Sequence, residues 1–170
     1  MTTPLEAATA ALPDHHRDAL FGAIPTLIAA VAGADREFDD AEMLAVVDEL
    51  LASERTLGAA FRHSPAAEAA FDALSRRARE GDRLELASAL ARIRPALAEL
   101  PDELADLFRR FVKRMALHIA SASGGFLGFG DPISDEERAV LHRLVIALDL
   151  PLEDAERASF GMAPPPGDDG

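Results

Sequence analysis

Apolar residues recur every three or four positions along most of the chain, and each run is closed by a glycine, a proline or an acidic turn. From Asp14, a good N-cap, Leu20, Ile24, Leu27, Ile28 and Val31 keep helical spacing as far as Gly33. Pro25 lies inside this run; its ring presses on the carbonyl four residues back and its missing N–H loses one bond, so a kink is expected. Residues 39–52 give the clearest amphipathic pattern, with Met43, Val46, Val47, Leu50 and Leu51 on one stripe and Glu42, Asp48 and Glu49 elsewhere. Ser64-Pro65 starts another helix, which Ala69, Phe71 and Leu74 carry to about Arg79 before Gly81-Asp82 interrupts. Leu84, Leu86, Leu90 and Ile93 lead into Pro95, where the helix bends or ends. Pro101 then opens the longest helix, Asp102 to about Ser121, whose nearly unbroken apolar face marks it as the expected central core helix. Ser134 restarts the pattern with Val140, Leu141, Leu144, Val145 and Leu148, and Pro151 opens a last short helix to about Phe160.

Two stretches share one plan. Residues 29–51 read as the end of an apolar helix, a tight acidic turn and the start of an amphipathic helix, and residues 118–150 repeat this with a longer turn. Aligning Phe38 with Ile133 places a capping residue next, Asp39 or Ser134, and a glutamate three further on, Glu42 or Glu137. Both are capping-box patterns, in which cap side chain and glutamate each accept the other residue's backbone N–H. A cap of this kind stabilises its helix by about 1 kcal/mol.

The composition agrees with helix. Hydrophobic residues make up 49% of the chain, but Ala and Leu supply much of that, with no Trp or Tyr. Strong helix formers therefore outnumber strand formers, and the expected fold is all-α. At 170 residues one domain is the default, organised as an arm or short helix over 1–13, a helical domain over 14–160 and a disordered tail over 161–170. The expectation is a bundle of about seven to nine helices with pseudo-twofold helix–acidic turn–helix repeats.

Charge narrows the partners. With 17 basic and 30 acidic side chains the net charge is −13, which repels phosphate backbones and anionic membranes at long range. Nucleic acid is not expected as a partner, nor is membrane insertion, since no run approaches about 18 apolar residues. The absence of cysteine excludes disulfides, thiolate nucleophiles and cysteine-ligated zinc. Residues 1–16 lack the basic start and apolar core of a signal peptide, so a cytoplasmic location is expected.

Capping alone does not account for the first acidic turn, where Asp35, Glu37, Asp39, Asp40 and Glu42 fall close together. Two carboxylates about 6 Å apart repel by roughly 0.7 kcal/mol in water and near 3 kcal/mol at an effective dielectric of about 20. A hard divalent cation, Ca²⁺ or Mg²⁺, would relieve that repulsion through oxygen ligands. The spacing is not that of an EF-hand, which needs a glycine at its sixth position and a glutamate at its twelfth.

At these residues the chain resembles the tellurite-resistance TerB family. Members carry a helix ending in a pattern like Ala-Asp-Gly, an apolar residue, Ser or Asp, and a glutamate in the next helix, with a second copy near the C-terminus. Ala34-Asp35-Arg36-Glu37-Phe38-Asp39-Asp40-Ala41-Glu42 follows that pattern with Arg36 in place of the glycine. In the second copy Ser123 stands where an acid would be, and the insertion Gly125–Gly130 displaces the turn before Asp131-Pro132-Ile133-Ser134-Asp135-Glu136-Glu137. The resemblance covers roughly residues 14–150. It implies acidic turns that bind a divalent metal, here Asp35, Asp39 and Glu42 in the first turn and Asp131 and Glu137 in the second. It also implies a role in stress response or complex scaffolding without established catalysis.

Other features separate the alternatives. Phe126 and Phe129 in the glycine-rich loop either dock a partner or fold back on the bundle. The loop is no phosphate cradle, because no Gly-Lys-Ser/Thr follows it. The five histidines form no close metal-binding pair, although His118 lies near the second turn. Basic ridges at Arg109, Arg110, Lys113, Arg114 and at Arg76, Arg77, Arg79, Arg83 either grip an anion or an acidic partner or, as the chain's charge favours, pair with its own carboxylates. Three readings stand: a metal-binding stress-response module with a protein partner, a metal-independent interaction scaffold, and a metal-dependent enzyme, for which no nucleophile–base pair is evident.

Overall fold

The computed structural model describes Ala7 and residues 11–32, 86–122 and 133–162. Among the described residues the protein is all-α: α1 is Asp14–Ala32, α2 is Leu86–Ala98, α3 is Asp102–Ala122 and α4 is Asp135–Leu148. A single 3-10 turn, Asp154–Glu156, follows. The expected seven to nine helices and the twofold repeat draw on residues 33–85 and 123–132, which lie outside the described residues. So does the helix read at residues 39–52 and the glycine-rich loop.

Helix α1 runs through Pro25, which is itself buried. From Ala19 to Ala32 the helix has no charged residue, and Leu20, Ile24, Leu27 and Val31 are almost wholly inaccessible. A helix apolar on all sides belongs in the interior. Accordingly α1 packs on all three other helices, most extensively on α2. The centre expected for residues 102–121 thus belongs at least as much to α1. Helix α3 is the more strongly one-sided: Phe108, Val112, Met115 and Ile119 are buried, while Asp106, Arg110 and Arg114 lie on the exposed side. A clear polar face is the mark of a helix at the edge of a core.

Helix α2 also passes its proline, Pro95, and ends at Ala98, where a turn leads through Leu100. Pro101 then supplies the carbonyl that accepts from Leu104 and Ala105 N–H, so the start expected there is where α3 begins. His16 Nδ1 of α1 lies 2.9 Å from Glu99 Oε2 in this turn, an approach that does not meet hydrogen-bond geometry.

The short helix expected from Pro151 to Phe160 is not an α-helix. Its regular part is the 3-10 turn, followed by hydrogen-bonded turns closed at Gly161. There Met162 N–H reaches the Arg157 carbonyl at 2.9 Å and Gly161 N–H the Ala158 carbonyl at 3.0 Å, with Gly161 at φ +66°. This is a Schellman closure, which needs the left-handed conformation that glycine adopts without penalty. Tertiary anchors set the segment's path: Phe160 is fully buried, and Met162 and Leu152 pack against the core.

Candidate functional site

Of the five carboxylates singled out as metal ligands, Asp35, Asp39, Glu42 and Asp131 lie outside the described residues; Glu137 is described. Ile133 is buried ahead of the helix, Ser134 takes an extended backbone as N-cap, and Glu137 is the third residue of α4. Ser134 N–H donates to Glu137 Oε2 at 2.7 Å, and Glu137 N–H donates to Ser134 Oγ at 3.1 Å. The capping box read from the sequence is therefore formed in full. Glu137 is only 1% exposed, the one buried charged residue among those described. A buried carboxylate must be hydrogen-bonded, and the cap's own N–H supplies one such bond. Among the described residues no three or more His, Asp or Glu side chains converge to hold a metal. His118 is exposed on α3.

Two residues of the basic ridge on α3, Arg109 and Lys113, reach the C-terminal half of the fold. Arg109 Nε donates to the Leu148 carbonyl at 3.0 Å while its Nη1 pairs with Asp106 at 3.0 Å. A cation at the last carbonyls of α4 satisfies an acceptor the helix leaves open and complements its dipole. Lys113 Nζ lies 2.8 Å from Glu156 Oε2, which also accepts Glu153 N–H at 2.9 Å. Burial works to raise the Glu156 carboxyl, but the hydrogen bonds from Lys113 and from the Glu153 backbone, together with the Lys113 charge, hold it below its ordinary range. On α4, Arg138 donates to the Ala158 carbonyl at 2.8 Å and to the Ile133 carbonyl at 3.2 Å. Lys113 and Arg138 latch the C-terminal turns to α3 and α4, and within the ridge Arg109 and Lys113 pair with the chain's own carboxylates, as expected.

A second place was not read from the sequence. Between α2 and α4 lies an open groove of about 480 Å³, with an apolar lining of Leu86, Ala87, Leu90 and Ala91 from one helix and Ile146 and Ala147 from the other. Among the described residues Arg94, His142 and Arg143 also line it. Ile146 is 67% exposed, the one large hydrophobic side chain left open among the described residues. Its signal in the sequence is its register: Leu141, Leu144, Val145 and Leu148 form the buried stripe of α4, and Ile146 falls off it. Its apolar floor with cations beside it is suited to binding.

Compared with protein-family models, with curated proteins and with solved structures, the chain matches none.

Proposed function

We propose that this chain is a TerB-like helical module that acts by binding a protein partner, without a metal at its second acidic turn and without catalysis. The observation that carries this reading is the open groove between α2 and α4 with Ile146 exposed in it. An apolar side chain held out on a rigid helix beside other apolar residues contributes little to folding and is suited to contact. The closed Ser134–Glu137 capping box supports the same reading, because it gives the second-turn glutamate a structural task. The resemblance of the two turns to a family associated with scaffolding and stress response points the same way. The pseudo-twofold bundle and the cytoplasmic setting belong to this proposal.

Two measurements test it. In urea unfolding, Ile146→Glu is expected to change stability by no more than about 0.5 kcal/mol, the usual range for a surface site. A loss above about 1.5 kcal/mol would show that Ile146 is packed in solution, and the interaction reading would fall. In thermal unfolding of chelator-treated protein, Ca²⁺ or Mg²⁺ is expected to give no stabilisation that depends on Glu137; a midpoint rise abolished by Glu137→Gln would make the module metal-dependent instead.

A further inference from the structure

The groove has a charge that the chain as a whole lacks. Residues 86–98 of α2 and residues 138–148 of α4 contain no Asp or Glu, although the chain carries 30 of them. The same two stretches carry Arg92, Arg94, Arg138 and Arg143. Arg138 is bonded to backbone carbonyls, whereas Arg94 and Arg143 line the groove as exposed side chains with no carboxylate on their own helices in those stretches. The chain as a whole carries −13, so among the described residues the region is a cationic, apolar island on an acidic protein.

Resting on the interaction reading above, we infer that the α2–α4 groove docks an acidic amphipathic helix of a partner protein. The charge complementarity is direct: carboxylates flanking an apolar stripe meet Arg94 on one wall and Arg143 on the other, while the stripe covers Leu90 and Ile146. Alanines at 87, 91 and 147 keep the lining low, which lets a helix backbone approach closely. From Leu86 to Arg94 the α2 wall rises about 12 Å, enough for roughly two turns of a docked helix. Among the described residues there is no strand whose edge could accept an extended peptide instead. A long anionic surface such as a membrane or duplex meets the repulsion of the remaining protein, whereas a short helix meets only the island.

The test uses the full chain and a fluorescein-labelled synthetic peptide with leucines at i, i+3, i+4 and i+7 and glutamates between them. Binding is followed by fluorescence anisotropy. The expected result is saturable binding that weakens with added salt and that is at least about tenfold tighter than for the same peptide with lysines in place of glutamates. Arg94→Glu with Arg143→Glu should weaken the acidic peptide by about tenfold and strengthen the lysine peptide, and Ile146→Glu should weaken both peptides. Equal affinity for the two peptides overturns the inference, as does binding unchanged by the charge reversal. Association with vesicles of anionic phospholipid in preference to the peptide overturns it in favour of a membrane surface. A dimer in sedimentation that Ile146→Glu dissociates, with no peptide bound, overturns it in favour of a second copy of the chain. If the peptide fails while Ile146→Glu leaves stability unchanged, the partner chemistry is wrong but the interaction reading stands; if Ile146→Glu unfolds the protein, that reading itself has failed.

Discussion

Replacing Lys113 by methionine removes a charge but keeps most of the side chain's length, and it isolates what the latch between α3 and the C-terminal turns contributes. The Lys113 and Glu156 side chains are only 13% and 23% exposed, and Nζ and Oε2 lie 2.8 Å apart. Fully exposed pairs are worth about 0.2–1 kcal/mol, and removing one partner of a fully buried pair costs about 3–5 kcal/mol. This pair lies between those limits. Glu156 keeps its bond from Glu153 N–H after the substitution, so a loss of about 1.5–2 kcal/mol is expected at neutral pH. For a chain of this size that corresponds to a midpoint lower by roughly 3–8 °C. The pH dependence follows from the sign of the shift. Because the folded-state carboxyl titrates below its ordinary value of 4.5, its contribution is fully present above that value and is lost as pH falls through the lower, folded-state one. The stability gap between wild type and Lys113→Met should hold from neutral pH down to about 5 and narrow below about 4.5. Urea unfolding at a series of pH values measures it. A gap below about 0.5 kcal/mol at pH 7, or one as wide in strong acid as at neutrality, would refute the reasoning.

Further outcomes follow from other contacts. Ser134→Ala should cost about 1 kcal/mol by removing the acceptor for Glu137 N–H; the loss should be equal in chelator and in millimolar Ca²⁺, and a loss confined to one condition would contradict a capping role. Gly161→Ala should cost roughly 1–2 kcal/mol, because φ is +66° and the new Cβ would lie 3.2 Å from Arg138 Cγ, on a side chain already tied down at its guanidinium. A change under about 0.3 kcal/mol in urea unfolding would argue against the Schellman closure. Ile93→Ala, at a fully inaccessible site on α2, should cost about 2–5 kcal/mol, against near neutrality for Ile146→Ala on the same assay.

How much was legible depends on whether the cause was local. The starts after Pro101 and Ser134 follow from a proline and a cap acting within a turn or two, whereas Asp14, read as a cap, is the first helical residue behind Pro13, whose carbonyl accepts from His16 and Arg17 N–H. The Ser134–Glu137 box was legible for the same reason, since both partners sit three residues apart. Two prolines lie inside described helices: α1 runs through Pro25 and α2 through Pro95, because each proline removes one bond while the packing of a whole helical face is retained. The turns after Pro151 were read as helix from the proline that opens them, but Phe160 in the core and Lys113 on Glu156 set their path from a distance in sequence.

By itself the sequence determined that this protein is helical, which faces of α2, α3 and α4 are apolar, and where the second acidic turn caps its helix. Those properties depend on spacing within a few residues. Only the tertiary structure decided that α1 packs on all three other described helices, that Arg109 and Lys113 are committed to the C-terminal half of the fold, and that Arg94, Arg143 and Ile146 share one groove. The last of these could not be read along the chain because α2 and α4 are separated by the whole of α3, and their shared surface exists only when both helices pack on the same core.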